Sequence, residues 1–254
     1  MSKNCFLITS CDKYKNIIPL SLDNFFLNIE TKYNVYVSTN FSKIKDSRII
    51  NLRSKSNLSW SNDLKIILEQ IPEENIFVIV EDFIVNSKKN LKEMDYLFNL
   101  FISKKMNHLK YLSQPKADKK INNFYGLYEP GCPYRATVMG LWKKEILKKL
   151  LINMENPCEF EMNASYRSAQ FPNFYGLYKD FILLVNLIEK GKINSIEKKK
   201  IKNLSNYKLE LNNQNLFESL ISIIKKIIVY FIFKISWKKR LGIVFFFKRL
   251  LQVY

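Results

Sequence analysis

Glu81 and Asp82 stand side by side directly after the run Ile76-Phe77-Val78-Ile79-Val80. A short apolar run of this kind, mostly β-branched, predicts a strand buried on both faces of an α/β sheet. Open α/β sheets bind ligands beyond the carboxyl ends of their strands. Two carboxylates emerging there offer the oxygen ligands that hard divalent cations and phosphorylated substrates need. A strand ending in two solvated acids fits the same segment equally well.

Other chemistries have less support. Cys5, Cys11, Cys132 and Cys158 show no CxxC spacing, and His108 is the single histidine. A zinc site is therefore not expected, and free thiols in a reducing compartment are. His108 lies in a polar stretch and is a weak candidate for acid–base work. The chain has no Walker motif, no GxGxxG and no nucleophile elbow. That weakens ATPase, dehydrogenase and hydrolase readings.

The elements that must position the acids can be read along the chain. Cys5–Thr9 predicts a first strand, closing in Ser10-Cys11-Asp12, and Leu20–Ile29 a helix. Asn34–Ser38 predicts a second strand, and Arg48–Leu52 is a candidate third. Ser61 opens a helix with Leu64, Ile67, Leu68 and Ile71 on one face, and Pro72 lies just past it. The strand Ile76–Val80 follows. Strand and helix in alternation predict an α/β fold, a mixed and mostly parallel sheet flanked by helices. Met94, Leu97, Phe98 and Phe101 mark a further helix. Residues 113–133 read as loop-rich. Trp142, Ile146, Leu147 and Leu150 read as one helical stripe, and 153–172 as irregular, with Pro157 as a loop former. The hexapeptide Asn-Phe-Tyr-Gly-Leu-Tyr occurs at 123–128 and again at 173–178. Two copies do not make a solenoid, and aromatic loop anchoring is the only role that the sequence suggests for them.

The 254 residues allow one sizeable core plus an appendage, and 47% hydrophobic residues exclude a disordered chain. The net charge of +18 favours anionic partners: nucleotide-sugars, nucleic acid or acidic lipid. Residues 1–20 do not read as a signal peptide, so a cytoplasmic location is expected. From Lys192 to Leu211 the chain reads as a surface connection. Residues 215–254 then carry eight Lys or Arg and one acid, Glu218, among aliphatic and aromatic residues. Two units are expected: 1–210 as the α/β domain and 211–254 as a basic amphipathic helical tail.

Several segments taken together resemble a known family. They are Phe6-Leu7-Ile8-Thr9-Ser10-Cys11-Asp12-Lys13-Tyr14, Tyr36-Val37-Ser38-Thr39-Asn40, Trp60-Ser61 and Val80-Glu81-Asp82-Phe83. Pro133-Tyr134-Arg135, Gly140-Leu141-Trp142-Lys143-Lys144-Glu145, Glu155–Glu161 and Lys190-Gly191-Lys192 continue the pattern. In order and spacing they resemble bacterial GT-A type glycosyltransferases of cell-surface polysaccharide assembly, such as O-antigen and capsule. The similarity covers about residues 4–195.

The resemblance implies a Rossmann-like GT-A fold, a nucleotide-sugar donor and a glycan acceptor; a membrane-bound tail would suit a lipid-linked acceptor. Glu81-Asp82 stands where GT-A enzymes carry a DxD-type motif. Asp82 would bind a divalent cation, Mg or Mn, that bridges the diphosphate and offsets charge on the leaving group. This chain has Val-Glu-Asp there, so surrounding lysines are the other candidates to neutralise the diphosphate. Thr9, Ser10 and Asp12 would meet the nucleoside; a Ser/Asp turn capping the next helix is the plainer reading of them. Tyr134 and Arg135 would line the donor pocket, with Arg135 on a phosphate or sugar, or else paired with a neighbouring acid. Trp60 would stack on a sugar face, whereas Trp142 reads as core. Inverting transfer needs a carboxylate to take the acceptor's proton. The resemblance points to Glu161, with Glu159 as the fallback.

In the tail, Leu216, Leu220, Ile223, Ile224, Ile227 and Phe231 form a helical stripe opposite Glu218, Ser222 and Lys225. A membrane-spanning helix would bury Lys225 and Lys226 at about 2.5–3.5 kcal/mol each. An in-plane anchor on an anionic, cytoplasmic membrane face avoids that cost; core packing or an oligomer contact is the alternative. Two rival functions remain. One is a basic nucleic-acid-binding protein, disfavoured because no binding motif accompanies the charge. The other is a non-catalytic membrane scaffold with a GT-A shell.

Overall fold

A computed structural model describes residues 3–201, 204–233 and 235. The first strand is β1 (Asn4–Thr9), followed by α1 (Ile18–Asn28), β2 (Asn34–Thr39) and β3 (Ile50–Arg53). Next come α2 (Trp60–Gln70), β4 (Asn75–Val80), β5 (Phe83–Val85), α3 (Leu91–Ser103) and β6 (His108–Lys110). Then follow β7 (Lys119–Lys120), β8 (Tyr125–Leu127), β9 (Gly140–Lys143), α4 (Lys144–Leu150), α5 (Pro157–Arg167) and β10 (Phe174–Leu177). The described chain closes with β11 (Leu184–Asn186), β12 (Ile188–Glu189), β13 (Lys192–Ile193) and α6 (Leu216–Ile232).

Nine strands form one mixed sheet in the order β3-β2-β1-β4-β9-β6-β10-β8-β7. β3, β2, β1 and β4 are parallel; β9 runs against β4 and β6, and β8 against β10 and β7. All strands but β8 and β9 therefore point the same way, as the alternation of strands and helices predicts.

The central strands are buried on both faces, so their side chains split by parity. Phe6 and Ile8 of β1 and Phe77 and Ile79 of β4 pack with Leu22 and Phe25 of α1 and Leu97, Phe98 and Phe101 of α3. Cys5, Leu7, Ile76 and Val78 point the other way, against Leu64, Ile67 and Leu68 of α2, Leu147 of α4 and Phe160 of α5. Six of these seven helices and strands were readable from the sequence because each carries its own period.

Three expectations fail in the second half. Trp142 is not on the helix with Ile146 and Leu147; it lies in β9, and the helix starts at Lys144. The run 153–172 is not irregular, because Asn156 caps α5, Pro157 takes its first turn and Glu159 closes the capping box. Proline suits a first helical turn, where its missing N–H has no partner to lose. Likewise, 192–211 is more than a surface connection. Ile193 and Ile201, with Leu204, Tyr207, Leu209 and Leu211 against them, join a third core with Ile84, Val185 and Leu187.

The structure explains the repeated hexapeptide. Its two copies pair with each other, antiparallel, with Gly126 opposite Gly176. The Tyr128 amide donates to the Phe174 carbonyl, and the Tyr178 amide to that of Phe124. Each closing tyrosine lies over the other copy's glycine: a Cβ on Gly126 would meet the Tyr178 hydroxyl, and one on Gly176 the Tyr128 ring. The repeat is thus a local two-fold, in which each copy needs the other's small residue.

Gly140 in β9 has the same requirement. His108, fully buried, stacks on Trp142 at 3.8 Å between ring centroids and covers Gly140. A Cβ at 140 would lie 2.0 Å from the imidazole. Gly140→Ala is expected to lower stability by about 1–3 kcal/mol or to block folding, as overpacking does. Denaturant unfolding checks it, and an unchanged midpoint would refute the close approach.

Candidate active site

The strand order makes the site. From β1 the chain goes outward to β2 and β3, then crosses back to β4 on the other side of β1. The crevice outside the carboxyl ends of β1 and β4 is the switch point at which such sheets bind ligands. Thr9 pairs with Val80. The two chain segments that leave there, Ser10–Asp12 and Glu81–Asp82, therefore sit side by side.

Glu81 is buried at 4% exposure, and its amide donates to the Thr9 carbonyl at 3.1 Å. Burial first, then the charge of Asp82, push its carboxyl up to about 8, against a hydrogen bond from the Ser10 side chain that works the other way. Asp82 is pushed up to about 6 by burial. Its Oδ1 is buried with no hydrogen-bond partner. Beside it, the Leu187 amide donates to the Asp82 carbonyl, and Asn186 Oδ1 is likewise buried and unpartnered. Glu81 and the Oδ1 of Asp82 are therefore out of solvent, which argues against the plainer reading of two fully solvated acids. Unpartnered buried carboxylate oxygens are costly and call for a partner.

The raised value at Glu81 has a sign. Because about 8 lies above the ordinary 4.5, the folded state holds a proton that the unfolded state has released between those values. The stability contributed by neutral Glu81 is whole below the unfolded value and is lost as pH rises through the folded one. Glu81→Gln should therefore stabilise the metal-free protein, by ~3 kcal/mol at pH 7 and by little at pH 4.5. The comparison must be between variant and wild type, because His108 pulls the other way. Burial and then the Lys110 charge hold its imidazole well below the usual range, so protonating it on acidification is destabilising. Chemical denaturation in chelator at several pH values measures the difference; a pH-independent gap would refute the buried neutral carboxyl.

The other predicted residues fall into distinct places. Thr9 is buried, and its hydroxyl donates to the Ile79 carbonyl at 3.3 Å. Asp12 does not cap a helix. Its carboxylate accepts the amides of Asn40, Phe41 and Ser42 at 3.1–3.2 Å, and its own amide donates to Asn40 Oδ1. Burial alone would raise its pKa, but these amides, with Ser42 foremost, outweigh it and hold the carboxylate below its ordinary value. Asp12 thus ties the end of β1 to the loop after β2. Asn40, missed in the sequence, extends this rim by donating to the Ser56 carbonyl and to Asp63 at 2.8 Å.

Arg135 is a correction. Its side chain is 1% exposed, and its guanidinium donates to the carbonyls of Ser168 and Phe171 while lying 4.2 Å over the Phe174 ring. It braces the end of α5. Its neighbour Tyr134 is half-buried at φ 60°, a strained conformation for a bulky residue. The Tyr134 ring meets Phe233, just past α6, at 5.8 Å.

Glu159 and Glu161 are separated by the helix they share, since residues two apart face different sides. Glu159 Oε2 accepts the Asn156 amide and so closes the capping box of α5. Glu161 is half-buried and its Oε1 accepts the Val138 amide at 3.1 Å. Gly140 pairs with Val78, so Val138 leaves the sheet level with Val80, on the rim that Glu81 and Asp82 occupy. Trp60 opens α2 on the same side and packs on Phe160 of α5 at 5.4 Å. Trp142 is core, as read from the sequence. A groove of about 640 Å³ between Tyr96, Phe124 and Phe181 lies elsewhere, at the start of α3, and holds none of these residues.

A scan against protein-family models and a search of curated proteins found no match. Among solved structures, the mannosyltransferase PcManGT from Pyrobaculum calidifontis, in complex with GDP-Man and Mn2+, aligns at TM-score 0.51 and 10% identity. The alignment covers 74% of this chain and 58% of that one. The fold is GT-A-like. S. aureus TarS aligns at TM-score 0.47 and 11% identity over 69% of this chain, which spans only 36% of the TarS chain. A UDP-glucose pyrophosphorylase complexed with UDP-glucose aligns at TM-score 0.47 and 11% identity, over 73% of this chain and 93% of that one. At 10% identity the likeness to the mannosyltransferase shows the fold alone.

Proposed function

We propose that the chain is a glycosyltransferase that moves a sugar from a nucleotide-sugar donor to a glycan acceptor in surface-polysaccharide assembly, with inversion at the anomeric carbon. The observation that carries this is Asp82, a half-buried carboxylate with one buried, unpartnered oxygen at the β1/β4 switch point of a GT-A-like sheet. The solved mannosyltransferase of similar fold holds GDP-Man and Mn2+.

The residues fit a divalent cation in a limited way. Among the described residues no group of three or more His, Cys, Asp or Glu is placed to hold a metal ion. Asp82, with Glu81 beside it, would hold the ion together with oxygens of the donor, a division usual for Mg²⁺. When bound, the ion would supply Lewis-acid stabilisation of the charge on the leaving diphosphate. Ser10 and the rim tied by Asp12 and Asn40 would shape the nucleoside end. Glu161, fixed through Oε1 by the Val138 amide, would take the proton of the acceptor hydroxyl. That oxygen would bond to the anomeric carbon as the bond from this carbon to the diphosphate oxygen breaks, and the nucleoside diphosphate would leave with the bonding pair. Trp60 would offer its face to a sugar. We assign a lipid-linked acceptor, because Tyr134 packs on Phe233 beside a helix whose outer face is apolar.

A nucleotide screen by thermal shift, with and without Mg²⁺ or Mn²⁺, tests the reading. A bound ligand raises the melting temperature by mass action. Stabilisation by one class of nucleoside diphosphate is expected, and it should name the donor class. No shift with any nucleotide, together with salt-sensitive retention on DNA, would replace sugar transfer by nucleic-acid binding.

A further inference from the structure

We propose that the outward face of α6 is a docking surface for an anionic lipid bilayer, which it meets lying in the membrane plane. The helix is mounted with its polar side inward. Ser219 and Ser222 are buried, at 7% and 3% exposure. Ser222 Oγ donates to Glu189 at 2.7 Å, Lys226 to Glu197 at 2.7 Å, and Lys192 bridges to Glu218. At the helix start, the Gln214 amide donates to the Ile193 carbonyl, so the chain entering α6 is bonded to β13.

The apolar stripe read from the sequence is therefore the solvent side. Leu216, Leu220, Ile223, Ile224, Ile227 and Phe231 are 41–92% exposed. An amphipathic helix of a globular protein turns such a stripe to its core. Here the polar bonds to β12, β13 and Glu197 fix the opposite rotation. An exposed apolar strip of this extent marks an interaction surface.

Charge and length select the occupant. Lys190, Lys192, Lys198, Lys200, Lys225 and Lys226 surround the mounting, against Glu189, Glu197 and Glu218. The whole chain carries +18. Basic residues flanking a greasy strip match anionic headgroups above acyl chains. A second copy of the chain would bring the same positive charge against itself, and lysine is depleted from protein interfaces. The 17 residues of α6 span roughly 26 Å. Among the described residues no helix is long and apolar enough to cross a membrane, so the contact is in-plane. The sequence beyond, Trp237-Lys238-Lys239-Arg240 and Leu241–Arg249, lies outside the described residues and carries no part of this inference.

Vesicle flotation of the full-length chain tests it, and the result is independent of sugar transfer because no donor or acceptor is present. Wild type should float with phosphatidylethanolamine–phosphatidylglycerol vesicles, less with phosphatidylcholine, and less again at high salt. The double variant Ile223→Glu, Ile227→Glu changes only exposed side chains and should keep the wild-type melting temperature. Its bound fraction should fall by about tenfold or more. The milder pair Leu220→Ser, Ile224→Ser should fall in the same direction should the first pair unfold. Undiminished flotation of the variants would overturn the proposal, since the lipid contact would then lie elsewhere. So would a wild-type dimer in sedimentation that the substitutions split, with no binding to vesicles.

Discussion

Asp82→Asn is expected to remove sugar transfer, by ~10²–10⁴ in rate, while making the metal-free protein more stable. The two effects share one cause. Asp82 Oδ1 is buried without a partner, and burial pushes its carboxyl up to about 6. A neutral amide of the same shape relieves that penalty, but it lacks the anionic oxygen that a divalent ion prefers. The rate estimate is the several kcal/mol that Lewis-acid stabilisation of a leaving diphosphate supplies. Turnover with an identified donor, and denaturant unfolding in chelator, measure the two halves. Near-normal turnover, or full wild-type activity in chelator, would end the metal role. Lost stability would contradict the buried, unpartnered carboxylate.

The second large effect is expected at Glu161. Removing a general base costs ~10²–10⁴ in rate. Glu161→Gln keeps an oxygen to accept the Val138 amide, so α5 and the rim should stay in place and donor binding should persist. Glu159→Gln should leave turnover unchanged and touch only the capping box of α5. Should Glu159→Gln be the inactive variant, or donor binding collapse with Glu161→Gln, the assignment of the base would be wrong. Rate and donor affinity measured on both variants decide it.

The legible part of the site lies in the first half of the chain. Ile76–Val80 is apolar throughout, so only a buried strand suits it, and the acids that follow it must emerge at a strand end. That inference needed no partner. Asp12 was placed correctly at the tip of β1, but its bonds to the amides of Asn40, Phe41 and Ser42 depend on β2 lying beside β1. Arg135 offers a clearer contrast. A basic residue beside a tyrosine reads as a ligand of phosphate, and nothing local says that the Ser168 and Phe171 carbonyls would surround it. The one signal passed over was Asn156-Pro157-Cys158-Glu159, a capping box with proline in the first turn, which announces α5. Reading it would have separated Glu159 from Glu161.

By itself the sequence determined the elements with their own period, their order, the fold class, and the acids that leave β4. Those features follow from side-chain spacing, chain connectivity and the burial that apolar runs require. Tertiary structure decided what depends on residues distant in sequence. It set which carboxylates lost their water, because desolvation needs walls from several elements. It paired the two hexapeptides, whose glycines are required only by each other's tyrosines. It also fixed the rotation of α6. The sequence showed an apolar stripe and a polar one, but bonds from Ser222, Lys226 and Glu218 to β12, β13 and Glu197 chose which of them faces out.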